Sequence, residues 1–467
     1  MKKLLLFISA IALTTATSFA QYTDLFNFTD HANGSLPWGD LISDGTFLYG
    51  MTSWGGTGGP NCGTDGCGVV FKIKPDGTGY DTLLNFTSTN GSLPLGSLVS
   101  DGTFFYGMTN QGGIDGWGSI FKIKPNGTGY YKLYDFIGGG NNDGQNPRGS
   151  LVFDSAKTFL YGMAAGGSGN YNQGEIFKIK PDGTGYANLF DFPNDSSTAS
   201  DGSLISHGNF LYGMGGGGTH GFGTVFKIKP DGSGYSILLN FDSIKGSLPL
   251  GSLLFEGNFL YGMTQGGGTN DMGVIFKVKP DGTGYLKLLD FTGTANGKIP
   301  GGSLISDGTF LYGMTQGGGT NDMGVVFKIK LDGTGYVKLF NFTGANGSNP
   351  HGSLISDGTF LYGMTDIGGT NSGGVIFKYA LATGIAENNA AINFNVYPNP
   401  SNGAFTVSTK ENDYKLTITN VIGEIVYQAE IKNQKSEIDL GKQPNGVYFL
   451  NIKTEKGSCV KKLIINW

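Results

Sequence analysis

Residues 302–342 read GSLISDGTFLYGMTQGGGTNDMGVVFKIKLDGTGYVKLFNF, and this stretch decides the fold. Four runs rich in β-branched and aromatic residues lie at 303–305, 310–315, 325–330 and 336–342. Asp307-Gly308 separates the first two runs, and a turn from Asp332 to Gly335 separates the last two. Asp-Gly pairs are typical of tight β-hairpins, and no helical periodicity is present. The stretch therefore predicts an antiparallel meander of four strands.

The same unit occurs seven times along the chain. The tripeptide Tyr-Gly-Met recurs at intervals of 49 to 57 residues, and a Phe-Lys pair follows each copy. The seven tripeptides begin at Tyr49, Tyr106, Tyr161, Tyr212, Tyr261, Tyr312 and Tyr362. Four strands in roughly 50 residues is the size of a β-propeller blade. We predict an all-β fold with a seven-bladed β-propeller over residues 21–379.

The two ends of the repeat region predict how the ring closes. Residues 22–28 match the fourth run of the other units, whereas the seventh unit stops after Phe377-Lys378-Tyr379 and has no fourth run. We therefore expect residues 22–28 to supply the outer strand of the last blade. This arrangement leaves no open sheet edge between the first and last blades.

The composition excludes several classes of protein. Glycine accounts for 83 of 467 residues, but there is no Gly-X-Y period and aromatic residues reach 13%, so neither collagen nor a low-complexity chain fits. Seven sets of hairpin turns explain the glycine excess. Charged residues make up 14%, the net charge is −5 and Arg148 is the single arginine. A nucleic-acid surface needs clustered Lys and Arg, so we expect no nucleic-acid partner.

The first 20 residues have the layout of a signal peptide. Lys2 and Lys3 precede an apolar run that ends at Leu13, and small residues lead to Ala20. Elsewhere the sequence lacks the ~18 uninterrupted apolar residues of a membrane-spanning helix. We expect an exported protein, cleaved near Ala20, without a transmembrane segment.

The last 74 residues differ from the repeats. Residues 380–393 carry no repeat landmark and are predicted to be a linker. Beyond them, alternating strand-like runs lie at 405–408, 414–419, 424–431, 447–454 and 460–466. This pattern favours a small Ig-like β-sandwich over residues 394–467.

Two family resemblances follow from these motifs. The blades resemble kelch-type repeats, and residues 22–379 resemble more closely the bacterial tandem-repeat family called GloVer, which implies a propeller but no particular chemistry. The tail resembles the type A C-terminal sorting domain of the type IX secretion system of Bacteroidetes, with an ordinary adhesive sandwich domain as the alternative. That resemblance rests on Tyr397, Pro398, Asn399, Pro400, Ile422, Gly423, Glu424, Gly446, Val447, Tyr448, Lys461, Lys462, Leu463 and Ile464. It implies a partnership with the type IX machinery and a protein that is secreted or attached to the outer cell surface.

Comparison of the seven units separates two faces of the propeller. Successive turns of a meander alternate between faces, so the turns after the first and third strands share one face, which we call the turn face. These turns are nearly identical from unit to unit. The loops after the second and fourth strands share the opposite face and vary; we call it the variable face. Variation on a constant scaffold predicts that specificity lies there.

The sharpest variation occurs in the frame Pro-x-Gly-Ser-Leu, just before the first strand of each unit; the fourth unit lacks the Pro. Position x is occupied by Trp38, Leu95, Arg148, Asp201, Leu250, Gly301 and His351. The first strand of a blade is innermost, so we expect these residues to ring the mouth of the central channel and to bind a ligand there. Unrelated substitutions on a weakly constrained surface are the alternative.

The variable loops after the second strands add further candidates: Trp54, Trp117, His220, Phe222, Gln265, Asp271, Gln316 and Asp322. Indole faces stack on sugar rings or, alternatively, fill the gaps between blades. Cys62 and Cys67 lie in the longest of these loops and are expected to form a disulfide, with a metal site as the weaker alternative. Each Asp-Gly turn holds one carboxylate, so we predict hairpin chemistry rather than Ca²⁺ binding, and no metal or cofactor.

Motifs of metalloproteases, serine hydrolases and phosphate-binding loops are lacking in the sequence. The favoured function is therefore a monomeric, secreted or surface-displayed module that binds a glycan or protein through its variable face. One alternative is an extracellular, lyase-like carbohydrate-active enzyme that uses His351, Arg148 and Asp201. A structural surface protein without a small ligand is the third interpretation.

Overall fold

The computed structural model describes residues 21–29, 32–59, 62–138, 144–166, 174–193, 202–381, 394–420, 425–454 and 457–465. Within these ranges the chain contains 35 β-strands and no helix, and it divides into two compact units, Met1–Tyr379 and Ala380–Trp467. The predicted signal peptide, residues 382–393 of the predicted linker, Asp201 and residues 422–424 lie outside the described residues. In the part of the chain that is described, no helix has the length and hydropathy of a membrane span.

Seven four-stranded antiparallel sheets make up the described part of the first unit, in agreement with the predicted seven-bladed propeller. Blades 1 to 3 consist of β2 (Ile42–Ser43), β3 (Leu48–Thr52), β4 (Val69–Ile73) and β5 (Asp81–Asn85); β6 (Val99–Ser100), β7 (Phe105–Thr109), β8 (Ser119–Ile123) and β9 (Tyr131–Asp135); and β10 (Val152–Phe153), β11 (Leu160–Ala164), β12 (Glu175–Ile179) and β13 (Ala187–Asp191). Blades 4 to 6 consist of β14 (Ile205–His207), β15 (Phe210–Gly215), β16 (Thr224–Ile228) and β17 (Ser236–Asn240); β18 (Leu254–Glu256), β19 (Phe259–Thr264), β20 (Val274–Val278) and β21 (Leu286–Asp290); and β22 (Ile305–Ser306), β23 (Phe310–Thr315), β24 (Val325–Lys330) and β25 (Val337–Asn341).

Blade 7 combines the two ends of the repeat region. It consists of β26 (Ile355–Ser356), β27 (Phe360–Thr365), β28 (Val375–Ala380) and, as its outer strand, β1 (Tyr22–Asn27). β1 pairs antiparallel with β28, with Tyr22 opposite Tyr379, and the Tyr22 ring stacks on Phe340 of blade 6 at a centroid distance of 3.9 Å. β28 ends at Ala380, so it extends one residue into the segment predicted as linker. The chain start thus closes the ring on its own last blade.

The Tyr-Gly-Met tripeptide lies in the second strand of each blade and forms the contact between blades. Tyr49 and Met51 are 2% exposed and pack with Leu98, Phe105 and Phe121 of blade 2. The glycine between them is required because a Cβ at Gly50 would lie 2.6 Å from the Phe71 ring of the adjacent strand. Full burial of such an aromatic side chain stabilises the fold by up to about 3 kcal/mol, which explains why the tripeptide is constant.

In four blades the lysine of the Phe-Lys pair donates to a backbone carbonyl of the next blade on the turn face. Lys122 Nζ donates to the Pro181 carbonyl at 3.0 Å, and Lys227 Nζ donates to the Pro280 carbonyl at 3.1 Å. Lys378 of blade 7 makes the corresponding bond to the Pro75 carbonyl of blade 1 at 3.4 Å. The hydrogen-bond pattern therefore continues across the junction where the ring closes.

The second unit is a β-sandwich of two antiparallel sheets. One sheet contains β29 (Phe394–Tyr397), β30 (Ala404–Thr409) and β33 (Lys435–Asp439), and the other is ordered β32 (Ile425–Ile431), β31 (Tyr414–Asn420), β34 (Gly446–Thr454) and β35 (Gly457–Ile465). Phe405, Leu416, Leu450 and Leu463 are among its buried core residues. β33 is absent from the sequence prediction because its sequence, Lys-Ser-Glu-Ile-Asp, contains only one apolar residue, the buried Ile438.

Candidate functional site

The Pro-x-Gly-Ser-Leu frames meet where the blades surround the central channel. Their glycines approach one another so closely that a side chain does not fit. A Cβ at Gly39 would lie 2.3 Å from the Gly96 carbonyl oxygen, and one at Gly96 would lie 2.2 Å from the Gly149 carbonyl oxygen. At Gly352 the same clash occurs with the Gly39 carbonyl, at 2.4 Å, which closes the circle. The glycine of the frame thus sets the width of the channel.

The serines of the same frames form a circle of hydrogen bonds around the channel. The backbone N–H of each donates to the side chain of the corresponding residue in the next blade at 2.5–2.9 Å, through Asp40, Ser97, Ser150, Ser203, Ser252, Ser303 and Ser353. Asp40 takes the place of serine in blade 1 and accepts from the Ser353 N–H, which completes the circle. Burial raises the pKa of Asp40 although Ser353 and Ser97 donate hydrogen bonds to it. The frame therefore holds position x on a rigid ring.

The residues at position x converge on a single cavity of about 290 Å³, which we call the channel-mouth cavity. All six of them that lie within the described residues contribute to it: Trp38, Leu95, Arg148, Leu250, Gly301 and His351. The seventh, Asp201, lies outside the described ranges. Gln265 and Gln316, from the loops after the second strands of blades 5 and 6, line the same cavity. Residues at position x and two residues of the loops after the second strands therefore line the same cavity.

His351 is held in a fixed position at this cavity. Its ring stacks on Trp38 with centroids 3.7 Å apart. Nδ1 lies 3.0 Å from Gln316 Nε2, and Nε2 lies 3.1 Å from Asn349 Nδ2. Burial lowers the pKa of His351 to about 4, so the imidazole is neutral at neutral pH. With both ring nitrogens engaged, His351 is suited to positioning and is a weak candidate for a general base.

Asp366, next to His351, is a buried carboxylate with one unsatisfied oxygen. The residue is 8% exposed; Oδ2 accepts from Asn349 Nδ2 at 3.2 Å and lies 3.8 Å from His351 Nε2. Oδ1 is buried and has no hydrogen-bond partner among the described residues. Burial raises the pKa of Asp366 to about 6. A buried acceptor left without a donor costs stability unless a bound group supplies one.

Sequence reasoning missed Asp366, although a signal for it exists. Asp366 is the first residue after the second strand of its blade, and this position varies between units as much as position x does. Its occupants are Ser53, Asn110, Ala165, Gly216, Gln265, Gln316 and Asp366. The prediction included the two glutamines but not the aspartate.

Two further cavities adjoin the channel mouth on blades 1 to 3. The first, which we call the side cavity, has a volume of about 360 Å³ and is lined by Leu36, Trp38, Ser53, Trp54, Leu93, Leu95, Asn110, Gln111, Arg148 and Asp366. The second, the outer cavity, measures about 420 Å³ and is lined by Trp117, the amides of Asn110, Gln111, Gln145 and Asn146, and by Arg148, Ala165 and Gly166. Arg148 lines all three cavities. The tryptophans predicted for sugar stacking thus lie on one arc of the variable face.

The residue before the frame proline is held in the left-handed backbone region. This applies to Leu36, Leu93, Asn146, Leu248, Ile299 and Asn349, with φ between 52° and 56°. Leu36 shows how it is fixed: its N–H donates to the Gly373 carbonyl of blade 7, and its carbonyl accepts from the Ser53 N–H of its own blade, both at 3.0 Å. The conformation costs about 1 kcal/mol for a residue with a Cβ. It holds variable side chains at the rim of the cavities, and sequence reasoning did not single them out.

Other predicted loop residues have local roles or lie elsewhere. Asp271 accepts from the Gly267 N–H at 2.7 Å, and Asp322 accepts from the Gly318 N–H at 2.8 Å and pairs with Lys298 at 2.8 Å. These contacts fix the loops to which the carboxylates belong. His220 and Phe222, in the loop of blade 4, are exposed and line none of the three cavities.

In the blade 1 loop and the Asp-Gly turns, the side chains considered as metal ligands have partners within the chain. Cys62 and Cys67 form a disulfide with Cα atoms 5.1 Å apart. In the turns, the carboxylate serves the backbone: Asp76 Oδ1 accepts from the Thr78 N–H at 2.9 Å and from its hydroxyl at 2.7 Å. Across the described ranges, no group of three or more His, Cys, Asp or Glu side chains could hold a metal ion.

The predicted sorting motif divides into structural and exposed residues. Asn399 Oδ1 accepts from the Ile464 N–H at 2.9 Å, and the Tyr448 hydroxyl donates to the Pro444 carbonyl at 2.7 Å. The first bond fastens the Tyr397-Pro398-Asn399-Pro400 segment to the last strand, and the second fixes the hydroxyl of Tyr448, whose side chain is part of the core. Tyr397 is 45% exposed and is available at the surface.

Two family models match the chain. The Gloeobacter/Verrucomicrobia repeat matches residues 60–259 and 252–420, and the secretion system C-terminal sorting domain matches residues 395–466. A comparison with curated proteins finds no match.

Similar solved structures include PorZ, described as an essential bacterial surface component of the type-IX secretion system of Porphyromonas gingivalis (16% identity, TM-score 0.49, 95% of this chain and 61% of that chain). An oligogalacturonate lyase in complex with manganese is also similar (11%, 0.47, 77% and 92%). So is the β-propeller domain of the Trilobed protease from Pyrococcus furiosus (10%, 0.46, 76% and 94%). The chain spans less than two thirds of the length of PorZ.

Proposed function

Since the chain belongs to the Gloeobacter/Verrucomicrobia repeat family and carries a secretion system C-terminal sorting domain, we propose that it binds a glycan through its variable face. The resemblance to the tandem-repeat family is confirmed, while the kelch-type likeness is looser. The type IX secretion system exports the protein, which is secreted or attached to the outer cell surface. A glycan is a ligand that such a surface protein meets outside the cell.

One observation carries the proposal: the side chains that differ from blade to blade converge on one cavity. The surrounding frame is constant, since its glycines and serines hold the ring together. A cavity of about 290 Å³ is near the lower end of the range for small-ligand sites. Indole, imidazole, amide and guanidinium groups supply an apolar surface together with hydrogen-bond donors. That combination suits a sugar, which is apolar on one face and rich in hydroxyls at its edge.

The lyase-like alternative is not favoured by the chemistry of His351. A proton-abstracting base needs a free lone pair and a pKa near the working pH. His351 has amide neighbours on both ring nitrogens, and burial lowers its pKa to about 4. Product release from a polysaccharide that is abolished by His351→Ala would nevertheless establish the enzyme.

A glycan array with the mature chain, residues 21–467, tests the proposal. We expect Trp38→Ala combined with Arg148→Ala to reduce retention of the bound glycans at least about tenfold. Tyr131→Ala is the matched control, because Tyr131 is 58% exposed on the outer strand β9, away from the cavities. Unchanged retention of every glycan by the double variant would show that the channel mouth is not the site. If the chain retains proteins but no glycan, its ligand is a protein and not a glycan.

A further inference from the structure

The side cavity combines apolar walls with one buried, unsatisfied acceptor. Trp54, Leu36 and Leu93 line it, and Asp366 lines it from blade 7. Asp366 is 8% exposed as a residue and 11% exposed at its side chain, and among the described residues its Oδ1 has no hydrogen-bond partner. A bound group that brings a hydrogen-bond donor would satisfy this carboxylate. The cavity therefore suits a ligand that is apolar over most of its surface and carries a hydroxyl or similar donor.

We propose that the side cavity is a subsite for one neutral hexose ring of a polysaccharide, with a sugar hydroxyl donating to the Asp366 carboxylate. The apolar face of the ring packs against Trp54 and the neighbouring leucines. This inference rests on the proposed function and extends it, because it names the sugar class and assigns Asp366, Trp54, Leu36 and Leu93 to its recognition.

The charges around the cavity select a neutral sugar. Asp366 and Arg148, of opposite sign, both line it. The carboxylate of a uronic acid would meet Asp366 in a poorly solvated space, where like charges repel strongly. An amino sugar would be repelled by the Arg148 guanidinium in the same way. Each charged sugar would also be attracted by the group of opposite sign, so the two charges together favour neither sign. A neutral ring avoids both repulsions, and its hydroxyls can serve both groups.

The position of the cavity selects an oligosaccharide over a single sugar. The side cavity shares Trp38, Leu95 and Arg148 with the channel-mouth cavity. A ring in one cavity therefore lies next to a ring in the other, with the Trp38 side chain between them. A ligand that fills both consists of at least two linked sugars.

Two variants address the side cavity, because Trp54 and Asp366 line it and do not line the channel mouth. Trp54→Ala removes the apolar wall, and Asp366→Asn keeps the shape while removing the charge that strengthens the hydrogen bond. Isothermal titration of the mature chain would use oligosaccharides of glucose, galactose, mannose and xylose. Oligogalacturonate and chitosan oligomers serve as the acidic and amino-sugar arms. Leu286→Ala and Asp81→Asn, on outer strands, are the matched controls.

We expect at least one neutral oligosaccharide to bind more tightly than its monosaccharide. Each side-cavity variant should then weaken that binding about tenfold, while both controls leave it unchanged. If Trp38→Ala with Arg148→Ala abolishes binding but the side-cavity variants do not alter it, the subsite is wrong and the proposed function stands. Tighter binding of the acidic or amino oligomers would likewise overturn only the subsite. If the wild type binds no carbohydrate in the panel, both proposals fail.

Discussion

Two aspartates on opposite faces of the propeller have contrasting surroundings. On the turn face, Asp307 Oδ1 accepts from the Thr309 and Phe310 N–H groups at 2.8 and 2.7 Å, and Oδ2 accepts from the Tyr312 hydroxyl at 2.8 Å. Burial raises the pKa of Asp307, but these hydrogen bonds outweigh it and lower the pKa overall. On the variable face, Asp366 Oδ2 accepts one hydrogen bond, from Asn349 Nδ2 at 3.2 Å, and Oδ1 has no partner among the described residues. Burial raises the pKa of Asp366.

The difference in hydrogen bonding distinguishes an aspartate of the scaffold, Asp307, from an aspartate of the candidate site, Asp366. In blades 1, 2, 6 and 7 the turn after the first strand repeats one arrangement, in which the aspartate accepts from two backbone N–H groups and from the hydroxyl of the Tyr-Gly-Met tyrosine. The variable face carries features that cost stability, namely a buried acceptor without a donor and side chains in the left-handed region. Natural proteins retain such costs where function needs them. Three substitutions test whether the two faces differ in this way.

The largest effect is expected at the frame glycines, the constant part of the variable face. In Gly96→Ala the new methyl would lie 2.2 Å from the Gly149 carbonyl oxygen, so neighbouring blades must move apart. We expect a loss of about 3 kcal/mol in the free energy of unfolding, measured by chemical denaturation.

Gly45→Ala is the control on the turn face. Gly45 has φ of +89° and no atom near its Cβ position, so the substitution tests backbone strain alone, about 1 kcal/mol. Equal losses in the two variants would mean that the channel is not sterically limited at its glycines.

The second effect concerns the turn face itself. Asp307→Ala removes three hydrogen bonds and leaves the Tyr312 hydroxyl, on a side chain only 5% exposed, without its acceptor. We expect a loss of about 2 kcal/mol at pH 7. Because the folded pKa lies below the unfolded value of 3.8, this contribution is present above pH 3.8 and disappears as the pH falls further. A loss that persisted unchanged at pH 2.5 would contradict the role given to the carboxylate.

The scaffold could be predicted from sequence because its determinants are local. Strand, Asp-Gly turn and Tyr-Gly-Met recur within each unit, and comparison of units located position x. The same comparison marks the position of Asp366 as variable, but it cannot show whether this aspartate has hydrogen-bond donors. Whether an aspartate is satisfied depends on the atoms around it, and at Asp366 these come from Asn349, seventeen residues earlier, and from blades 1 to 3 across the ring closure. Asp271 and Asp322 stand in similar loops, yet each bonds a backbone N–H of its own loop.

The third and smallest effect has the opposite sign. Asp366→Asn removes a buried charge, so we expect the variant to be more stable than the wild type by about 1 kcal/mol at pH 7.5. The folded pKa of Asp366, about 6, lies above the unfolded value of 3.8, so this group favours the fold below pH 3.8 and loses that contribution as the pH rises through 6. The difference in unfolding free energy between Asp366→Asn and the wild type should therefore vanish near pH 4.

His351, next to Asp366, also contributes to the pH dependence of the unfolding free energy of the wild type. It makes the same contribution in Asp366→Asn, so it does not affect the difference in unfolding free energy between the two proteins. Its folded pKa of about 4 lies below the usual 6.5, so its contribution is complete above pH 6.5 and falls as the pH drops through 4. Both proteins share this term, and subtracting their unfolding free energies at each pH largely removes it. If Asp366→Asn destabilises the protein at pH 7.5, as Asp307→Ala does, then Asp366 is part of the scaffold and the contrast between the two faces fails. If it stabilises the protein while binding to neutral oligosaccharides weakens, the cost of burying Asp366 is retained for the ligand.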